Sequence, residues 1–425
     1  MVAAAGAKNE PVGAQLNVSI MDGTIKVSHA GDATSLPKTI VLRCWAKAAQ
    51  NSIVEFRDSV EQLLPDSICA STFPLEKISD NLLSSDAPHK QAANAISLGT
   101  WTAAVREALF KTGEKRHGIF NSLGVSSLAA RKWFNKEQTS VLPSLAEVLA
   151  FSCGIGLQEF KYGQICFSPE GHSNRNVWML KNGLIVINDP VKSLGWKSTR
   201  TRLFALPREV TKHLALYLYV IRPIAIELLG HLGQDVPYYS SNIWAHVQRP
   251  RPCEGANPWI WSGSRVSGLI QSATNKWLGV VLTPTLIQHI ESQLFSKYLP
   301  TLSVADEQSP VDQQAQHVSH TSLAHYGWVS HFPPIKHLRL HQPIRHLALN
   351  EIWHALLHLG PVNDSWKSIV AESPLAATLN CLQAALGVAR YLVPGQYKIR
   401  SAENARSILQ SLPFVYGSQV LVLSD

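Results

Sequence analysis

A mainly α-helical fold with a small antiparallel β-sheet, an α+β chain, is what this sequence predicts, and three observations carry the prediction. Apolar residues recur at three- and four-residue intervals over most of the chain, as in "TIVLRCWAKAAQNSIVEFRDSVEQLL" and "ANAISLGTWTAAVREALFKTG". One cluster of short apolar runs, "NVWMLKNG" and "LIVINDPVK", is joined through Asn182-Gly183, a strong short-range hairpin signal. Across 425 residues the hydrophobic share is 45% and the charged share 16%, the balance of a globular protein with room for two or three domains.

In chain order, residues 1–38 are rich in Gly, Ala, Ser and Asp with weak periodicity, and are expected as a flexible tail with at most a short hairpin. Residues 39–140 form a helical N-terminal domain, with a basic side from Lys111, Lys115, Arg116, Arg131, Lys132 and Lys136. A second domain spans 141–360 and opens with the helical "SVLPSLAEVLAF". The hairpin follows, then "STRTRLFALP" as a third strand, then helices over 208–230, 262–278 and 285–299. Thr283-Pro284 supplies an N-cap and a first helical residue for the last of these. "HLALYLYVIRPIAIELLG" is the most hydrophobic stretch, but Arg222-Pro223 interrupts it and Glu227 charges it. It is expected as a buried helix that breaks and restarts at the proline, not as a membrane span. Residues 361–425 read as a C-terminal extension with one helical run and a possible final strand.

The net charge is +8, and residues 161–300 account for the whole excess, with 15 Lys/Arg against 7 Asp/Glu. A basic block of that size is a footprint of nucleic-acid binding, against which stands a merely solvated surface. Six scattered cysteines with no CxxC pair argue against a zinc ribbon and against a disulfide scaffold. The opening MVAAAGAKNEP has no signal-peptide pattern, so an intracellular, reducing location is expected.

The densest chemistry lies in "QAQHVSHTSLAHYGW", residues 314–328, where nine residues separate His317 from Tyr326. A metal site is one reading, but no carboxylate or cysteine joins the histidines at ligand spacing. An exposed polar helix is another. The third is a histidine contacting a phosphate, followed by a tyrosine that attacks it. A phenol is a weak nucleophile at neutral pH, so it needs a positioned phosphate, positive charge around its oxygens and an acid for the leaving 5′-oxygen.

The pattern H-x-x-x-T-x-x-x-H-Y-G, here His317, Thr321, His325, Tyr326 and Gly327, resembles the C-terminal box of tyrosine recombinases. It is most similar to the version in Crypton-like fungal elements and the recombinase-like regions of fungal RecQ-type helicase genes. "TRLFALPREVTKHLALYLYVIRPIAIELL" resembles the segment that follows that family's small sheet, and "LALNEIWHALLHLG" its S-x-x-W-H helix. The resemblance covers about residues 141–360 and implies a recombinase-like catalytic domain behind a helical core-binding-like domain. It further implies a nuclear protein derived from a mobile element and acting on double-stranded DNA as a homo-oligomer, with no metal or small-molecule cofactor. By the same resemblance Tyr326 falls at the nucleophile, His317 at the second conserved His/Trp position and Lys192 at the general acid.

The phosphate clamp departs from the family. Gly156 stands at the first arginine position and Gln288 at the second, with His289 retained beside it. An arginine fork gives phosphate two charge-assisted bonds, which Gly cannot supply and Gln supplies only neutrally. One lost donor costs roughly a hundred- to thousand-fold in rate, and two about 10⁴ or more. Arg175, Arg200 and Arg202 are candidates to have moved in; otherwise the site is impaired and the chain binds DNA without cleaving it efficiently. Binding itself would rest on distributed phosphate contacts from Arg131, Lys132, Arg175, Lys197, Arg200, Arg202 and Lys276. A structural or protein-interaction module without any DNA role is the remaining alternative. His289 and the tryptophans at 244, 259, 261 and 277 are expected as packing residues.

Overall fold

The computed structural model describes residues 16–21, 24–29, 38–78, 88–91, 94–111, 117–121, 124–154, 162–168, 177–180, 184–190, 201–236, 238–247, 259–298, 350, 353–354, 356–359, 414–416 and 419–421. Helices dominate, with four small antiparallel sheets among the described residues.

Three strands open the described chain: β1 (Leu16–Met21), β2 (Thr24–His29) and β3 (Lys38–Val41), antiparallel in the order β1-β2-β3. The short hairpin allowed for in the expected tail is therefore present over 16–21 and 24–29, and it goes beyond the expectation by pairing with β3. The cause is period-two patterning too short to stand out in the sequence: Ile25 and Val27 are buried while Lys26 between them is exposed, and Ile25 pairs with the buried Ile40. β3 runs directly into α1 (Leu42–Glu61), whose buried Leu42, Trp45, Ala46, Ala49, Ile53, Phe56 and Val60 make one face. α2 (Ala95–Phe110) and the short pair β4 (Phe120–Asn121) and β5 (Gly124–Val125) follow.

α3 (Ser127–Lys136), capped by Ser126, continues into α4 (Leu142–Ser152) through a π-turn over Glu137–Val141. The boundary expected at 140/141 thus falls inside a continuous helical run. The hydrophobic core is likewise continuous across it, from Ile25 to Leu357, with α1 packed on α4.

The hairpin comes out as expected. β6 (Val177–Leu180) pairs with β7 (Leu184–Pro190), with Leu180 opposite Leu184, and β8 (Thr201–Ala205) is the third strand. α5 (Arg208–Leu216) and α6 (Arg222–His231) form the expected apolar helix, but it does not break. A second π-turn, Tyr217–Ile221, joins them, and the 24-residue run is long and apolar enough to cross a membrane while being mostly buried inside this fold. Both π-turns stand just before a helix with proline in its first two positions, Pro143 and Pro223. A proline lacks the N–H for the preceding turn and crowds the carbonyl four residues back; one wide turn relieves the crowding without ending the helix.

The two wide turns also carry a buried charge pair. Glu137 accepts hydrogen bonds from the hydroxyls of Tyr217 (2.6 Å) and Tyr239 (2.7 Å). Arg222, fully buried, donates to the carbonyls of Tyr239 (3.1 Å), Asn242 (3.0 Å) and Ile243, and its Nε lies 3.4 Å from Glu137. Burial, before any neighbouring charge, holds both phenols well above their ordinary pKa, so they remain donors.

α7 (Gly263–Leu278) and α8 (Pro284–Tyr298) complete the helical body. Thr283 caps α8 as expected, its hydroxyl accepting from Leu286 N–H at 3.2 Å. In the C-terminal extension the possible final strand is present as a pair, β9 (Phe414–Tyr416) antiparallel to β10 (Gln419–Leu421), and the expected helical run lies outside the described residues.

Candidate nucleic-acid interface and catalytic frame

Gly156, where the recombinase resemblance expects an arginine, follows α4 in the chain, and the end of α4 is held by a defined cluster of side chains. Three side chains from one short helical segment receive its last carbonyls. Trp353 Nε1 donates to Phe151 O (3.1 Å), His354 Nε2 to Ser152 O (2.9 Å) and Asn350 Nδ2 to Cys153 O (2.6 Å). Carbonyls at a helix C-terminus have no partner within the helix, and buried ones must find one elsewhere. The chain leaves α4 through Gly154 at φ +75°, where a Cβ would also meet Asn350 Nδ2 at 3.2 Å, so both backbone angle and space select glycine. The Asn350 side-chain oxygen, Oδ1, accepts from Ala205 N–H at 3.1 Å, which ties the last residue of β8 to the same point. Trp45 of α1 lies edge-on to both Phe151 and Trp353, with centroids 6.1 Å away in each case.

Because His354 Nε2 donates, its Nδ1 is the acceptor nitrogen, and it is buried without a hydrogen-bond partner. Burial depresses the imidazole pKa from 6.5 to about 4, only partly offset by the Ser152 carbonyl. The Trp-His pair therefore serves as a neutral clasp and not as acid-base chemistry.

α8 lies beside this end. Its Gln288, Glu291 and Ser292, at spacings of three and four, are all buried, and His289 is half-buried. Burial and then the Glu291 charge push the Cys153 thiol up, and burial, Cys153 and Glu291 push the Tyr162 phenol up, which places all three side chains close together. The neutral Gln288 is thus buried one turn from a buried carboxylate, near the exit of α4.

The described structure does not assemble a whole catalytic centre. Tyr326, His317, Lys192, Gly156, Arg175, Lys197 and Arg200 lie outside the described residues. Arg202 occupies a β8 position opposite Asp189 of β7. Arg131 and Lys132 are exposed on α3 and enter no ion pair among the described residues. Lys276 is exposed but held at 2.7 Å from Glu55, with its ammonium 4.2 Å from the Trp277 ring.

The basic block changes character once side chains are placed. Four of its cations are engaged within the molecule, Arg208 with Glu76, Lys212 with the Ser71 carbonyl, Arg222 in the core and Lys276 with Glu55, while Arg265 stacks on Trp261 with no ion pair among the described residues. The tryptophans behave as expected. Trp244 and Trp261 are buried, and the half-buried Trp277 donates to Glu147 at 2.9 Å. Sequence reasoning noticed the Trp353-His354 segment but missed Asn350, which does the most joining; its only signal was an amide three residues before the tryptophan. No family model, no curated protein and no solved structure matches this chain.

Proposed function

We propose that this protein binds double-stranded DNA through a tyrosine-recombinase-like fold, descends from a mobile element, acts in the nucleus, and has lost most of its strand-transfer capacity. The observation that carries the reading is the neutral Gln288 buried on α8, beside the end of α4 that the Asn350–His354 segment clasps. A phosphate clamp needs a guanidinium there, and a primary amide offers one neutral donor group. The order of parts around that point supports it too: helix, three-stranded sheet, helix through Arg-Pro, two helices, then the Trp-His segment.

On this reading Tyr326 would attack the scissile phosphate, Lys192 would protonate the leaving 5′-oxygen and His317 would contact a phosphate oxygen. With Gly156 and Gln288 at the clamp positions the transition-state charge is poorly neutralised, which corresponds to a rate loss of about 10⁴. A nicked suicide duplex tests this directly: at most a trace of covalent adduct is expected, abolished in Tyr326→Phe. Abundant adduct would mean an active transferase with relocated arginines. In an electrophoretic shift series, binding should strengthen steeply as salt is lowered and weaken in Arg131→Ala/Lys132→Ala. A total lack of duplex binding at low salt would sink the proposal. That result would favour a protein-interaction module, the reading suggested by Arg208 and Lys276, whose charges are taken up by Glu76 and Glu55, and by the exposed Leu128 of α3.

A further inference from the structure

One cluster away from the end of α4 has donors in excess and, among the described residues, no acid in ion-pair reach. Trp244–His246 and Trp259–Trp261 run antiparallel, with Ala245 bridged to Ile260, His246 N–H bonded to Trp259 O (2.8 Å) and Trp261 N–H to Trp244 O (2.8 Å). α7 starts immediately afterwards, and the Ser262 hydroxyl caps it by accepting from Arg265 N–H at 3.2 Å. Arg265, in the first turn, folds back so that its guanidinium carbon sits 3.8 Å from the centroid of the Trp261 ring. This holds a full positive charge beside residues that precede the positive end of a 16-residue helix. Cations are ordinarily favoured at the other end.

The neighbours do not relieve that charge. No described carboxylate comes within ion-pair distance of Arg265. Its contact is instead His246, whose Nδ1 is 3.4 Å from Arg265 Nη1. Partial burial and then the guanidinium depress the His246 pKa from 6.5 to about 4, so the ring is neutral and Nδ1 accepts. The ring proton then sits on Nε2, which is one more donor. The amides of Gly263 and Ser264 head the helix with no intrahelical acceptor. Trp261 Nε1 is buried in the same cluster without an acceptor. A guanidinium, an imidazole N–H and two helix-heading amides thus come from one short stretch of structure, with no charged acceptor among the described residues.

We infer that Arg265, His246 and the first turn of α7 form a phosphate-binding site, which receives a backbone phosphodiester of duplex DNA. Phosphate chemistry fits because one group must accept several bonds and carry negative charge at a helix N-terminus. A backbone phosphodiester fits better than an enclosed small molecule because Arg265, Ser262 and Ser264 are all exposed, leaving an open rim. The stacked ring fixes the guanidinium plane in advance, so less side-chain freedom is lost on binding. The inference rests on the DNA-binding reading for its ligand but not for its geometry.

The test uses the full chain, with Arg265→Gln and Arg265→Lys, in two measurements. One is duplex affinity across a salt series; the other is thermal stability in inorganic phosphate against chloride at matched ionic strength. Expected are a loss of affinity of about tenfold in Arg265→Gln regardless of duplex sequence, a salt slope lower by about 1, and loss of the stabilisation by phosphate. Arg265→Lys, which keeps charge but not the fork, should fall between; it carries the test if the Gln variant unfolds in chloride. Unchanged affinity and unchanged phosphate response in both variants, with wild type binding duplex, overturn this site and leave the DNA-binding reading standing. Phosphate protection that needs Arg265 in a chain that binds no duplex overturns the phosphodiester assignment and the DNA-binding reading together. Neither duplex binding nor phosphate protection in the wild type overturns everything proposed.

Discussion

Arg222 and Arg265 make the same ring contact, each with its guanidinium carbon 3.8 Å from an aromatic centroid, over Tyr239 and Trp261 respectively. Everything else about them differs. Arg222 is sealed in the core, faces the Glu137 carboxylate and donates to three carbonyls. Arg265 is exposed, meets no described acid and bonds a neutral imidazole. Stacking on an aromatic ring is therefore not what distinguishes a structural arginine from a binding one. The distinction lies in whether anionic and carbonyl acceptors already fill its fork.

Mutation should pull the two apart. Arg222→Ala leaves the buried Glu137 facing only two tyrosine hydroxyls, and the expected loss is about 3–5 kcal/mol in urea unfolding. Arg265→Ala removes an exposed stack, and the expected loss is about 0.5–1 kcal/mol while phosphate protection disappears. Equal stability losses in the two variants would erase the comparison.

A second pair sharpens it, since two histidines are depressed alike in unlike places. His354 is fully buried and His246 half-buried, and each has its pKa lowered from 6.5 to about 4. In His354 the unfolded state binds the proton more readily than the folded one. Its contribution is therefore fully present above pH 6.5, is lost as pH falls from 6.5 towards 4, and changes no further below that. The lowering corresponds to about 3 kcal/mol for this buried group. Stability measured by urea unfolding from pH 7 to 4 should decline, and His354→Gln should flatten the decline. A variant with the wild-type pH profile would assign the decline to other groups. The exposed rim of His246 makes its share smaller.

Much of the fold was legible in advance because it depends on local signals. The Asn182-Gly183 hairpin, the third strand at "STRTRLFALP", the helices ending at His231, Leu278 and Tyr298 and the Thr283 cap all follow from periodicity and turn chemistry. Two readings fell short for physical reasons. Residues 1–38 read as a tail with at most a short hairpin; the hairpin is there at 16–29, but six-residue strands with polar alternates carry little signal that they pair with β3 and bury Ile25 and Val27. The proline at 223 read as a break because propensity rules consider only the i−4 bond; a π-turn absorbed it within a helix buried on most sides.

For the proposed site, the sequence by itself determined which residue types stand at 317–327, and which stand at 156 and 288, where the recombinase resemblance expects arginines. Gly156, Gln288 and Tyr326 are identities, and identities are read directly. Net charge was readable for the same reason, since it is a sum over residues. Its availability was not, because whether a cation is free depends on what folds against it. Glu55 lies 221 residues from Lys276 and Glu76 lies 132 from Arg208. Only the tertiary structure could bring those acids to those bases, leave Arg265 without one among the described residues, and join Cys153, Ala205 and Asn350 at the end of one helix. Hydrogen bonds and ion pairs act over a few ångströms, and a linear sequence does not say which distant residues will come that close.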